Sequence, residues 1–250
     1  MNRRQAFIVG LCLVIIAAGV SAFFYSRVPP SMPSHWDAAG RVNGYMPRFW
    51  GLAMMPLIMA FMWSLLPILP RISPRQFSLG ESIGAFNLVV IGILAVFLAL
   101  HVVILQAATG AAIRIQTVVP SLVGVLLIFI GNYMSKLRKN FFIGVRTPWT
   151  LASDEVWSRT HRLAGWTLAL GGIALIVEGI VGLNPLVFTA IIALVVAVPV
   201  IYSYVLYKKI EGFGPNGSEE SSNETHDVHH HHGRQHGCRI AVGHRSSRRL

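Results

Sequence analysis

Charged residues are scarce along these 250 residues: Asp, Glu, Lys and Arg make up 12%, against roughly 25% in soluble domains, which excludes an ordinary water-facing surface. Cysteine is scarcer still. Cys12 falls in an apolar run and Cys238 in a polar tail, so the two define neither a disulfide framework nor a zinc spacing, and Cys12 reads as a small packing residue. Also missing are a His-Glu-x-x-His zinc helix, a Gly-x-Ser-x-Gly elbow and a phosphate-binding P-loop. Without a convergent titratable set the chain does not read as an enzyme, and neither cofactor nor resident metal is expected.

What is abundant is apolar length. Hydrophobic residues make up 54%, and mean hydropathy is +0.58. Six runs, 6–26, 49–69, 83–107, 117–134, 164–182 and 186–207, approach or exceed the roughly 17–25 residues that cross a hydrocarbon core. Backbone polar groups cannot face lipid unpaired, so each run is expected to be helical. The fold class is therefore all-α, a polytopic bundle of six transmembrane helices in the cell membrane, with the lipid bilayer as its first partner. The first run follows a basic Met1-Asn-Arg-Arg, but it is too long for a signal core and bulky Phe23, Phe24 and Tyr25 follow, so it reads as an uncleaved helix.

The net charge of +11 is placed in loops rather than in a nucleic-acid-binding face, so no direct nucleic-acid partner is expected. With six spans, Arg3, Arg4, Arg71, Arg75, Lys136, Arg138, Lys139, Arg146, Arg159, Arg162, Lys208 and Lys209 fall on one side, and Arg27, Arg41, Arg48 and Arg114 on the other. By the positive-inside rule both termini are cytoplasmic. Three regions follow: an N-terminal membrane segment, 1–70, with an external loop at 27–48; a membrane domain, 71–210, with a cytoplasmic loop at 135–163; and a polar tail, 211–250.

The external loop is rich in Pro and Gly. Val28-Pro29-Pro30 and Met32-Pro33 force extended backbone, and Ala39-Gly40 and Asn43-Gly44 are turn signals, so a compact ordered loop is expected. His35 reads as a hydrogen bonder that orders it. In the cytoplasmic loop, 140–145 looks strand-like and Thr147-Pro148 breaks it. Ser153 is an N-cap candidate, followed by Asp154 and Glu155 at the positive end of a helix dipole. Val156, Trp157, Thr160 and Ala164 share a face that suits either the interface or the bundle. Trp149, Trp157 and Trp166 fit a headgroup belt, and His161 an interfacial position. The tail, with its His tract at 229–232, is expected to be disordered, and its metal affinity adventitious. Within the spans the polar residues are His101, Glu178, Asn87, Gln106 and Asn132; Glu178 lies close enough to a helix end to reach the headgroups.

Two stretches resemble known families. Asn132-Tyr133, Lys136, Arg138, Asn140, Gly144-Val-Arg146-Thr147-Pro148-Trp149-Thr-Leu151, Trp157, Thr160-His161-Arg162 and Gly165 look like the signature of the SdpI-type immunity protein family. Pro30, Met32-Pro33-Ser-His35-Trp-Asp37, Gly40, Asn43-Gly44-Tyr45 and Pro47-Arg48 resemble the external loop of a DUF1648-like domain often fused ahead of it, with Arg48 near a position where that domain commonly has Lys. The resemblance covers about 5–207. It implies a non-catalytic membrane protein that protects its cell from a secreted peptide toxin and relays the toxin's presence to a cytoplasmic transcriptional repressor. It would place toxin sensing at Pro33, His35, Asp37, Gly40, Gly44 and Arg48. The inner motif would comprise Asn132, Arg138, Asn140, Gly144, Arg146, Thr147, Pro148, Trp149, Trp157, His161 and Arg162. The alternative is a transporter or permease-like protein working through His101, Asn87 and Glu178.

Overall fold

The computed structural model describes residues 1–37, 40–72, 78–182 and 185–212. Most of the tail, including the His tract, lies outside them, as do Ala38 and Ala39. Met1–Tyr207 form one compact unit and Lys208–Leu250 a second, of which the described part is the last turn of a helix and the two residues after it.

The elements run α1 (Arg3–Phe24), β1 (Ser31–Trp36), β2 (Val42–Pro47), α2 (Arg48–Ile72), a 3-10 turn (Gly80–Ser82), α3 (Ile83–Ala108), α4 (Ile115–Met134), α5 (Pro148–Ala152), α6 (Asp154–Val181) and α7 (Pro185–Ile210). Six of these helices are long and apolar enough to cross a membrane, and at most 33% of the most apolar window of any one is buried. The remaining apolar surface suits lipid, and Cys12, expected to pack, is exposed on it. Pro56, Pro67, Pro70, Pro120 and Pro199 sit inside helices, as membrane helices tolerate.

Helices α1, α2 and α3 pack around Ala6, Ala17, Met59, Leu66, Phe86 and Leu94. The α4–α6 pair is closed differently, by glycines. A Cβ on Gly124 would lie 2.4 Å from the Gly172 carbonyl and one on Gly172 2.4 Å from the Gly124 carbonyl; on Gly131 it would meet the Gly165 carbonyl at 2.7 Å, and on Gly179 the Thr117 carbonyl at 2.8 Å. Three contacts seven residues apart thus hold two antiparallel backbones together. In lipid, where apolar burial gives helices no reason to associate, such close approach supplies the dispersion contacts that do. On its other side α6 meets α7, where a Cβ on Gly171 would lie 2.2 Å from Val195 Cγ2.

The 27–48 loop is a two-stranded antiparallel hairpin, with Ser31 opposite Pro47, Met32 opposite Met46 and His35 opposite Gly44. Among the described residues it is the one β element. Asn43-Gly44, taken as a turn signal, lies inside β2 instead, where Gly44 makes room for the His35 side chain across the ladder: a Cβ there would lie 2.9 Å from His35 Cβ. The strand expected at 140–145 is not formed. That segment folds into successive bends, because the Asn140 side chain takes up backbone groups that a ladder would need.

Candidate functional site

The polar motifs gather at opposite ends of the bundle. One is the hairpin end; the other, formed by 135–163, is a clasp beneath the start of α3.

The clasp is organised by Asn140, which is fully buried. Its Oδ1 accepts from the N–H groups of Phe142 and Ile143, both at 2.9 Å, and its Nδ2 donates to the carbonyls of Arg138 at 2.9 Å and Ile143 at 3.1 Å. Next comes Gly144, at φ +116°, where a Cβ would lie 2.2 Å from His161 Nε2. Both the left-handed backbone and the close approach require glycine. His161 is 1% exposed, buried rather than interfacial as expected. Its Nδ1–H donates to the Trp157 carbonyl at 2.8 Å, which leaves Nε2 unprotonated to accept the Val145 N–H at 3.0 Å. Trp157 is 3% exposed, not in a headgroup belt; its ring stacks on His161 at 3.9 Å, and its Nε1 donates to the Leu137 carbonyl at 2.8 Å. Val156, Thr160 and Ala164 are buried beside it, so this face packs into the bundle.

Thr147-Pro148, expected as a breaker, starts α5. Thr147 and Thr150 form a capping box with Pro148 at the helix start, where its missing N–H costs nothing. Thr150 Oγ1 also donates to the Val145 carbonyl at 2.8 Å, Thr147 Oγ1 lies 3.0 Å from Ser203 Oγ of α7, and Trp149 meets Tyr204 edge-on at 5.0 Å. At the other side, the Arg138 N–H donates to Ser82 Oγ at 2.8 Å, tying the clasp to α3. Ser153 caps α6 as expected, accepting from the Val156 N–H.

Asn132, Arg138, Arg146 and Arg162 stay exposed. Arg138 pairs with Glu81 at 3.1 Å and Lys139 with Asp154 at 2.7 Å, while Arg146 donates to the Phe141 carbonyl. Lys136, Arg138, Lys139, Glu81, Asp154 and Trp157 help line a cleft of about 940 Å³.

At the hairpin end the anchoring is thinner. Met32 is fully buried with Val28, Leu52 and Leu105, and its sulfur would lie 2.7 Å from a Cβ on Gly51. Asp37 closes the tip: its N–H donates to the Arg41 carbonyl at 2.8 Å, and its carboxylate accepts from the N–H and Nε of Arg41, each at 2.8 Å. Gly40, at φ +70°, lies against the Gln116 side chain at the start of α4, within 2.3 Å of a would-be Cβ. His35 Nδ1 pairs with Asn43 Oδ1, the ordering role expected of it. Arg48 Nε reaches the Pro29 carbonyl at 3.4 Å, and its guanidinium lies over Tyr25. Pro33 is half-buried, while His35 and Tyr45 are exposed. Below the hairpin, Ser21 Oγ lies 2.8 Å from both the Leu52 carbonyl and His101 Nε2, joining α1, α2 and α3.

Glu178, expected at the headgroups, is 6% exposed, and its Oε2 has no hydrogen-bond partner among the described residues. The seam formed by the heptad glycines Gly124, Gly131, Gly165, Gly172 and Gly179 was missed by sequence reasoning, which took up Gly165 only as part of a motif, although their recurrence at every seventh position is visible in the chain. Among the described residues no three His, Cys, Asp or Glu side chains are grouped to hold a metal ion.

Six membrane-length helices with a polar hairpin at one end and an internally bonded clasp at the other define a multi-pass cell-membrane protein. Comparison with known proteins narrows the class: residues 136–203 match the SdpI/YfhL protein family, and residues 12–60 match a domain of unknown function, DUF1648. The chain is also 24% identical over 211 residues to the immunity protein SdpI of Bacillus subtilis (strain 168), an alignment covering 82% of this chain and 97% of that protein. Both resemblances read from the motifs are thus met, the first over the clasp and the second over the hairpin. No solved structure matches.

Proposed function

We propose that this chain is an immunity protein that protects its cell from a secreted peptide toxin, sensing the toxin at the hairpin and presenting the clasp to a cytoplasmic transcriptional repressor. The observation that carries this is the similarity to an immunity protein along 97% of that protein's length. Orientation follows from charge: Arg3, Arg4, Arg71, Lys136, Arg138, Lys139, Arg146, Arg159 and Arg162 lie toward the clasp end, Arg27, Arg41, Arg48 and Arg114 toward the hairpin end. That imbalance puts the clasp and both termini in the cytoplasm. The exposed His35 and Tyr45 then meet the toxin, and the exposed Arg146 and Arg162 meet an acidic patch of the repressor. Toxin binding alters the clasp to the extent that two bundle arrangements bind it unequally.

The test is survival of toxin-sensitive cells expressing the chain, challenged with membrane-active secreted peptides. Protection is expected, and its loss on His35→Ala with Tyr45→Ala at matched membrane levels. Full protection by that variant sinks the hairpin's role. The transporter reading draws on one observation, the buried and unpartnered Glu178 Oε2. It requires protection to collapse when the proton gradient is dissipated, and toxin flux rather than toxin binding.

A further inference from the structure

A second polar site lies away from both motifs, between α1, α2 and α3 at the clasp end. It is a pocket of about 310 Å³, at the lower end of the roughly 300–1,000 Å³ of small-molecule sites. Arg3 and Arg4 of α1 and Arg71 of α2 stand around it, Asn87 of α3 contributes a polar wall, and Phe7 and Leu66 line it below the arginines. Among the described residues no Asp or Glu lines it.

Arg3, Arg4 and Arg71, all exposed and drawn from two helices, line one pocket, so an anion held among them would relieve the mutual repulsion that solvent otherwise screens. Arg3 and Arg4 also occupy the first turn of α1, which holds no acidic residue, so they sit at the positive end of that helix's dipole, where cations are disfavoured. Topology signals account for basic residues near this end of a span, but not for their convergence with Arg71 on a shared cavity. Among the described residues Arg71 makes one hydrogen bond, from Nη1 to the Pro67 carbonyl at 3.0 Å, and guanidinium is the side chain that forms paired bonds with phosphate. Asn87 is 1% exposed, and its Nδ2 reaches the Met1 carbonyl at 3.4 Å. Phe7 is 37% exposed on a membrane-length helix, so the apolar wall opens toward lipid.

We propose that this pocket binds the headgroup of an anionic phospholipid such as phosphatidylglycerol, its phosphodiester among Arg3, Arg4 and Arg71 and its glycerol backbone and upper acyl chain along Phe7 and Leu66. A basic pocket between helices at the cytoplasmic surface is the arrangement that selects anionic headgroups. A zwitterionic lipid would bring an ammonium group among three guanidiniums and is rejected by charge. Free phosphate satisfies the arginines but leaves the apolar wall bare. The inference rests on the pocket and is independent of the immunity reading.

The test is native mass spectrometry of the purified full chain, titrated with phosphatidylglycerol, phosphatidylcholine and glycerol 3-phosphate. Two triple variants with equal charge loss are compared, Arg3→Gln/Arg4→Gln/Arg71→Gln at the pocket and Arg138→Gln/Arg146→Gln/Arg162→Gln at the clasp. Phosphatidylglycerol is expected to be retained at least tenfold more tightly than phosphatidylcholine. That preference should fall at least tenfold in the pocket variant, persist in the clasp variant and withstand glycerol 3-phosphate. Equal retention of both lipids overturns the proposal, as does an equal loss in the clasp variant, which would mean diffuse charge. Displacement by glycerol 3-phosphate overturns it in favour of a soluble phosphate site. If the pocket triple fails to insert, Arg71→Gln alone leaves α1 intact and should lower the preference severalfold; an unchanged preference sinks the proposal.

Discussion

At the clasp end Asn140, Thr150 and His161 are at most 1% exposed, whereas at the hairpin end Tyr45 is 64% exposed and Met32 alone on the two strands is fully buried. Both ends carry dense motifs. In the clasp Asn140, Thr147, Trp157 and His161 are turned inward and bond backbone groups of the same segment, so they act as scaffold. In the hairpin the backbone ladder supplies the order, and several side chains remain free to face a ligand. Density of motif therefore marks where a fold is exacting, and exposure marks where a partner can touch it. By that standard the clasp motif offers a partner Asn132, Arg138, Arg146, Pro148 and Arg162.

The contrast breaks most severely if the support under the clasp is removed. Gly172→Leu forces a side chain toward the Gly124 carbonyl, which already lies 2.4 Å from a Cβ at that position. Since the clash is with backbone rather than a movable side chain, a loss at or above the top of about 1–3 kcal/mol is expected, with membrane levels falling sharply. Normal accumulation and an unchanged melting temperature in detergent would refute the close α4–α6 seam.

A smaller effect separates the two ends directly. Asn140→Ala removes four hydrogen bonds and strands partly buried N–H groups of Phe142 and Ile143, so about 1–3 kcal/mol of stability should be lost. His35→Ala removes one exposed bond to Asn43, and its effect should stay within about 0.5 kcal/mol. Thermal unfolding of both variants measures the difference. Equal shifts would remove the distinction between scaffold and surface.

The spans were legible because apolar length alone decides what crosses lipid, and the Ser153 cap because its chemistry is local. Other features depended on partners far along the chain. Phe141, Phe142, Ile143 and Val145 have strand-like side chains, but the Asn140 amide takes up the nearby backbone and bends it. Trp157 and His161 have the amphipathic character of interfacial residues, and only the carbonyl of Leu137 and the N–H of Val145 draw them inside. Asn43-Gly44 is a strong turn signal, overridden because the His35 side chain needs the space beside Gly44. The heptad glycines were legible in principle. Their period of seven places them on one helix stripe, yet it is hidden among apolar residues whose hydropathy carries the louder signal.

The smallest stability effect carries the most functional weight. Arg146 and Arg162 are both exposed; among the described residues the hydrogen bond Arg146 makes is with the Phe141 carbonyl of its own segment. Replacing both with Ala removes no buried group and, among the described residues, no charged partner of either, so stability should change by no more than about 0.5 kcal/mol. If the clasp is a docking face, the same variant should lose capture of an acidic cytoplasmic partner, because rim charges chiefly set encounter rate and its dependence on salt. Co-sedimentation of such a partner with membranes, at two salt concentrations, reads both effects. Capture that survives the double substitution would leave the clasp as scaffold alone and make the hairpin the surface by which this protein meets its partners.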